Sequence, residues 1–279
     1  MKSIFLDGGF IGRATTLIGG TVPEDTQAQI TTTYNGVFHQ NVPGPISMSI
    51  SNVSTGNITS DETLVVAVCI EMNRATYING WVNSLTVDGN SVTIVSQSPI
   101  NENLGSIQTH TVIGYISGIS SSTVTVVVGY SDGGSQFRGS CASYKLNSNT
   151  PIEVYDSTYD YSNSSGTKNL TTDVFEGGVV IYQGMFADEN TADTWAGLTT
   201  ENYNISHPEN NASLSGGVYL PTSTGSHTTS VTIGGSATTE NALVAASFKS
   251  IDTGESSTGS GIFNLQAAYI STAISGGIT

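Results

Sequence analysis

The sequence predicts an all-β fold: an antiparallel two-sheet β-sandwich, jelly-roll-like, built from two pseudo-repeats with an N-terminal arm. Three observations predict it. Short apolar runs rich in Val, Ile and Thr, each bounded by Gly, Asn, Asp or Ser, recur between Asp61 and Leu146. No stretch there keeps the period of an amphipathic helix. A second set of runs after residue 172 follows the order of the first.

Residues 1–45 are expected to form an arm. Ile4, Phe5, Leu6, Phe10 and Ile11 lie among Gly8, Gly9 and Gly12, and Pro23, Pro43 and Pro45 punctuate the exit. Such a segment closes no core alone. It docks on a neighbouring subunit or adds an edge strand to its own sandwich. Residues 46–146 form the first half. A β-branched run at 63–70 leads past Trp81 to a turn at Asp88-Gly89-Asn90, and strands follow at 92–95, 111–116, 123–130 and 141–146.

Residues 147–172 read as a connector crossing the sandwich as a strand or two, with Ile152, Val154, Tyr155, Tyr159 and Tyr161 as its packing side chains. The second half, 173–250, then repeats the first. Gly177-Gly178-Val179-Val180-Ile181-Tyr182 answers the run at 64–70, and Trp195-Ala196-Gly197-Leu198-Thr199 answers the stretch from Trp81 to Thr86. The segment 242–249 answers 139–146, both closing on an aromatic residue followed by Lys (Phe248-Lys249 and Tyr144-Lys145). The two copies together are expected to enclose one shared interior. In the C-terminal segment, 251–279, Ile262, Phe263, Leu265 and Tyr269 mark a strand, a short helix or a subunit contact. Phe5, Phe10, Ile11, Phe263 and Tyr269 are the candidate interface residues.

Lys and Arg number 7 against 22 Asp and Glu, a net charge of -15. A surface of this sign repels phosphate backbones and anionic lipid heads, so no nucleic-acid partner is expected. No apolar run approaches the length of a membrane span, so no membrane insertion is expected. The first residues lack the apolar core of a signal peptide, because Asp7-Gly8-Gly9 interrupts it. Cys69 and Cys141 lie in apolar strand patterns and read as buried free thiols, with one cross-strand bridge as the alternative.

Chemistry-bearing patterns are few. The four histidines share no metal-ligand spacing, and no Walker lysine is present. No catalytic residue and no cofactor is therefore assigned. Asp188, Glu189 and Asp193 bring three carboxylates into six residues. The stretch reads first as a solvated loop at a strand end; as a metal site it would take calcium, which prefers oxygen ligands. Trp81 and Trp195 read either as matching core plugs or as stacking platforms for sugar rings.

The run Thr63-Leu64-Val65-Val66-Ala67-Val68, the hairpin around Asp88-Gly89-Asn90, the strand Ser122-Thr123-Val124-Thr125-Val126 and the corner Trp195-Ala196-Gly197-Leu198-Thr199 resemble β-sandwich modules of tailed-bacteriophage virion proteins. The likeness spans residues 46–250, and the chain departs from it at Asp88-Gly89-Asn90, where the family pattern has Gly-Gly. It implies a structural component made in the host cytoplasm and located in the virion as a capsid-associated, decoration or tail protein. Its partners would be other copies of itself and other virion proteins, and it implies no catalytic residues. The competing expectation is a lectin-like sandwich that binds surface glycan through Trp81 or Trp195.

Overall fold

The computed structural model describes residues 28–42, 47–73, 82–98, 107–130, 136–162, 166–187, 193–206, 212–233 and 241–251. These contain seventeen strands and no helix. The first nine are β1 (Thr31–Val42), β2 (Ser47–Ser54), β3 (Thr63–Asn73), β4 (Val82–Val87), β5 (Asn90–Ser91), β6 (Thr93–Gln97), β7 (Ile107–Ser117), β8 (Thr123–Tyr130) and β9 (Gln136–Asn147). The remainder are β10 (Ile152–Ser162), β11 (Gly166–Val174), β12 (Val179–Ala187), β13 (Thr194–Ala196), β14 (Thr200–Ser206), β15 (Ala212–Tyr219), β16 (Gly225–Ile233) and β17 (Asn241–Ser250).

The strands form four antiparallel sheets. In the first half, an outer sheet β2-β8-β4-β5 faces an inner sheet β1-β9-β3-β7-β6. In the second, an outer sheet β11-β16-β13 faces an inner sheet β10-β17-β12-β15-β14. Sequence pattern decides which strand goes where. Strands of the outer sheets alternate, as in β8 with Val124, Val126, Val128 and Tyr130 inward and Thr123 outward, because one face meets water. In β3, β12 and β17 the apolar runs are continuous, and these strands are buried on both faces at the centre of the inner sheets.

Three apolar layers result. One fills the first sandwich, with Met48, Ile50, Leu64, Val66, Val68, Ile70 and Val126 among its members. Another fills the second, with Leu170, Val180, Tyr182, Phe186, Val231 and Leu243. The third joins the two inner sheets: Val65, Ala67, Ile113, Tyr144 and Leu146 meet Val179, Ile181, Leu214, Val244 and Phe248. Each fully buried side chain of this size contributes roughly 1.5–3 kcal/mol, so the middle layer binds the sandwiches into one body.

The repeat extends to register. Val65 pairs with Tyr144 and Val179 with Phe248, the residues before the two matching lysines. Each inner sheet has a β-bulge in its first strand at the same place, between Tyr34 and Gly36 opposite Tyr144-Ser143 and between Val154 and Asp156 opposite Phe248-Ser247. The expected turn at Asp88-Gly89 is a tight hairpin, with φ of 47° and 80°, the left-handed pair that matches strand twist.

Several sequence expectations change. Thr31–Val42, at the end of the expected arm, takes the edge-strand alternative: it is β1 of the first inner sheet, paired with β9 along its length. The stretch 147–172 does hold two strands, β10 and most of β11, but they open the sheets of the second half instead of connecting the halves. Each half also has two complete sheets of its own, so a single shared interior is replaced by three layers. The rest of the arm and the C-terminal segment beyond Ile251 lie outside the described residues.

Candidate functional site

The Trp195 corner is built from residues distant in sequence. Asp193, just before β13, is 4% exposed, and its Oδ2 accepts hydrogen bonds from the Ser213 hydroxyl (3.1 Å) and the Ser215 hydroxyl (2.9 Å) on β15. The Trp195 indole N–H donates to Ser215 Oγ at 2.8 Å. Asn204 on β14 closes the other side: its Nδ2 donates to the Asp193 carbonyl at 2.5 Å, and its Oδ1 accepts the Asp193 N–H at 3.3 Å. Trp195 is half-buried, packs on the second sandwich's core and tilts against Tyr182 at 6.3 Å between ring centres.

This arrangement corrects the loop reading of Asp193. Burial and two serine hydroxyls hold one of its oxygens inside the protein, so Asp193 is an acceptor within the fold and not a solvated side chain. The other two members of the proposed calcium set, Asp188 and Glu189, lie outside the described residues, as does Trp81. Among the described residues, no group of three or more His, Cys, Asp or Glu side chains is placed to hold a metal ion.

A second polar group lies in the middle layer, and sequence reasoning missed it. Gln183 Nε2 donates to the Cys69 sulfur at 2.7 Å, the Tyr203 hydroxyl donates to Gln183 Oε1 at 2.9 Å, and the Cys69 thiol reaches the Gly184 carbonyl at 3.8 Å. Position 65 answers to 179 in the two registers, so position 69 answers to 183. The two halves thus touch through equivalent positions, as subunits do about a two-fold axis. Tyr203 also stacks on Tyr34 of β1 at 5.9 Å.

The thiols are inert by placement. Cys69 faces the middle layer and Cys141 the first sandwich, so they point to opposite sides of one sheet and remain free. Burial pushes both thiols well above the ordinary range, which keeps them protonated. His110 is buried in the first half beside Tyr130, and desolvation lowers its pKa to about 4 against a smaller upward pull from the Ser98 backbone. His227 lies flat on Tyr219 at 3.6 Å and donates from Nε2 to the Gly197 carbonyl at 2.8 Å.

The described ends of the chain meet. Ser250 Oγ donates to the Ala28 carbonyl at 2.7 Å, the Ile30 N–H donates to the Gly177 carbonyl at 2.8 Å, and the Ile251 N–H donates to the Pro151 carbonyl at 2.7 Å. Because neighbouring strands run antiparallel, connections alternate between two ends of the block. Residues 148–151, 175–178 and 220–224 share the end where the chain enters at Ala28 and leaves at Ile251. A tight turn places them there: Gly177 has φ 75°, and a side chain on Gly178 would lie 2.5 Å from the Phe248 carbonyl oxygen. The predicted interface residues Phe5, Phe10, Ile11, Phe263 and Tyr269 fall outside the described residues.

The chain matches no protein-family model and no curated protein.

Proposed function

We propose that this chain is a non-enzymatic structural protein that works by assembly, in the manner of a capsid-associated, decoration or tail component of a phage-like particle. Its partners are other copies of itself and other proteins of that particle. The observation that carries the reading is the apolar middle layer joining two complete sandwiches, which makes one thick block of four stacked sheets. A block of this kind suits load-bearing and spacing. Among the described residues, the side chains best equipped for chemistry support the same reading. Asp193, Trp195, Gln183 and Tyr203 bond to one another or to neighbours within the fold, and Cys69, Cys141 and His110 are fully buried.

Sedimentation velocity of the full chain across a hundredfold concentration range tests the proposal. The expected outcome is reversible, concentration-dependent growth to a discrete oligomer. A monomer at every concentration, alone and with the other proteins of its particle, would overturn it.

A further inference from the structure

We propose that His110 is an acid-operated release for one end of the first sandwich: its protonation parts β7 from β8 there, while the middle layer stays closed. The inference goes beyond the assembly reading and does not depend on it.

His110 belongs to a row that crosses the first inner sheet. Ile70 pairs with Gly139 on one side and with His110 on the other, and Ile70 packs into the first sandwich. Residues opposite one another on paired strands share a face, so His110 faces the outer sheet as well. The outer sheet meets this row with Tyr130, whose ring centre is 6.2 Å from that of His110. Met48 fills the place that a side chain on Gly139 would take. The row lies at an end of the sandwich, because β8 stops at Tyr130, β3 stops at Asn73 and β7 starts at Ile107.

The imidazole is fully buried, and among the described residues neither ring nitrogen has a hydrogen-bond partner. The second half shows the satisfied version of this position. Ile70 answers to Gly184, whose partner on β15 is Ser215, and the Ser215 hydroxyl bonds to Asp193 and Trp195. One place in the scaffold thus holds a closed hydrogen-bond network in one half and an orphaned base in the other. An orphaned buried polar group costs stability. What an imidazole adds there, and a serine does not, is a change of charge in mild acid.

No neighbour is placed to receive that charge. Among the described residues, Tyr130 of β8 and Cys141 of β9 are the titratable side chains on the same side, and β2, β4, β6 and β8 carry no charged residue. Glu71 of β3 and Arg138 of β9 lie on the opposite face of the sheet and pair with each other at 3.4 Å. Lys145 sits at the far end of β9, paired with Glu62. Protonation therefore sets an unpaired cation in an apolar layer, and parting the sheets at their end lets water reach it. The imidazole has a pKa of about 4 when closed and an ordinary value of 6.5 when open, so protons favour the open form. From pH 7 to pH 5 the opening equilibrium rises about twentyfold.

The two native cysteines report on the two layers separately. Cys141 lies one row further into the first sandwich, paired with Val68, and Cys69 lies in the middle layer; both are free and buried. The full chain is treated with a dithiodipyridine reagent, which stays reactive toward thiols in acid, and peptide mass mapping assigns a rate to each cysteine. Each rate is divided by that of the urea-unfolded chain at the same pH. The Cys141 rate is expected to rise about twentyfold from pH 7 to pH 5, with the Cys69 rate unchanged. His110→Leu and His110→Gln are each expected to abolish the rise, and the second keeps a polar side chain should the first fail to fold. A flat Cys141 rate would overturn the proposal, as would a rise that persists in the folded variants. A parallel rise of both cysteines would also overturn it, since it would show the whole block unfolding and not one end opening.

Discussion

In the first sandwich, Val68 and Ile70 of β3 point toward the outer sheet; in the second, the equivalent places on β12 hold Tyr182 and Gly184. The volume is redistributed. Phe186 folds over the space that Gly184 leaves, so that a side chain added at 184 would come 2.5 Å from the Phe186 ring. The strand order of the inner sheet, the register of its central strands and the bulge in its opening strand are nevertheless the same in both halves, although the outer sheets have four strands and three. Pairing and patterning therefore specify the scaffold, and different side chains can fill it.

The largest expected effect comes from breaking the aromatic filling. Phe186→Ala should destabilise the protein by about 3–5 kcal/mol, because Gly184 beside it gives the cavity no side chain with which to close. Chemical denaturation followed by tryptophan fluorescence reads this directly, and a loss below 1 kcal/mol would show that the ring is not a packing element.

Next comes acid. The first sandwich buries a histidine with no buried counterpart among the described residues of the second. His110 has a folded pKa of about 4 and an ordinary value of 6.5, so between those values the unfolded chain binds the extra proton. Stability should therefore be unaffected by His110 above pH 6.5, fall as pH drops through that window, and lose about 3 kcal/mol in all by pH 4. His39, half-buried against Ser140, is shifted downward by burial and acts in the same direction. Replacing His110 with Leu should flatten most of the slope in a pH series of denaturation midpoints.

The smallest effect tests the contact between equivalent positions. Gln183→Leu leaves the buried Tyr203 hydroxyl without its acceptor and should cost about 1–3 kcal/mol. Adding Tyr203→Phe should restore most of that loss, since removing both partners removes the unsatisfied group. The cross-half bond itself is read by a double-mutant cycle of Gln183→Leu with Cys69→Ala, in which no coupling would show that it contributes nothing to holding the halves together.

Much of this fold was legible in the sequence. The runs at 63–70, 111–116, 123–130 and 141–146 lie within β3, β7, β8 and β9, and the closing aromatic-Lys pairs mark equivalent positions in register. What escaped has physical causes. β1 is Thr31–Val42, with Thr, Asn, Gln and His between its few apolar residues, and it packs through Tyr34, Val37 and Phe38 at a sheet edge; composition alone makes it look like an arm. β10 reads as a strand, but Asp156, Ser157 and Asp160 between its apolar residues do not show which half it belongs to. The continuous runs of β3 and β12 did carry the mark of burial on both faces, yet whether that second face meets another half is a non-local fact. Asp193 illustrates the same limit, since its burial depends on serines of β15 that lie 20 and 22 residues further along the chain.

The central claim is that the middle layer makes two sandwiches one mechanical unit. Differential scanning calorimetry tests it most directly. A single transition whose calorimetric and van't Hoff enthalpies agree is expected, for the native chain and for Phe186→Ala alike. Two resolved transitions, with only the one belonging to the second sandwich shifted by Phe186→Ala, would contradict it.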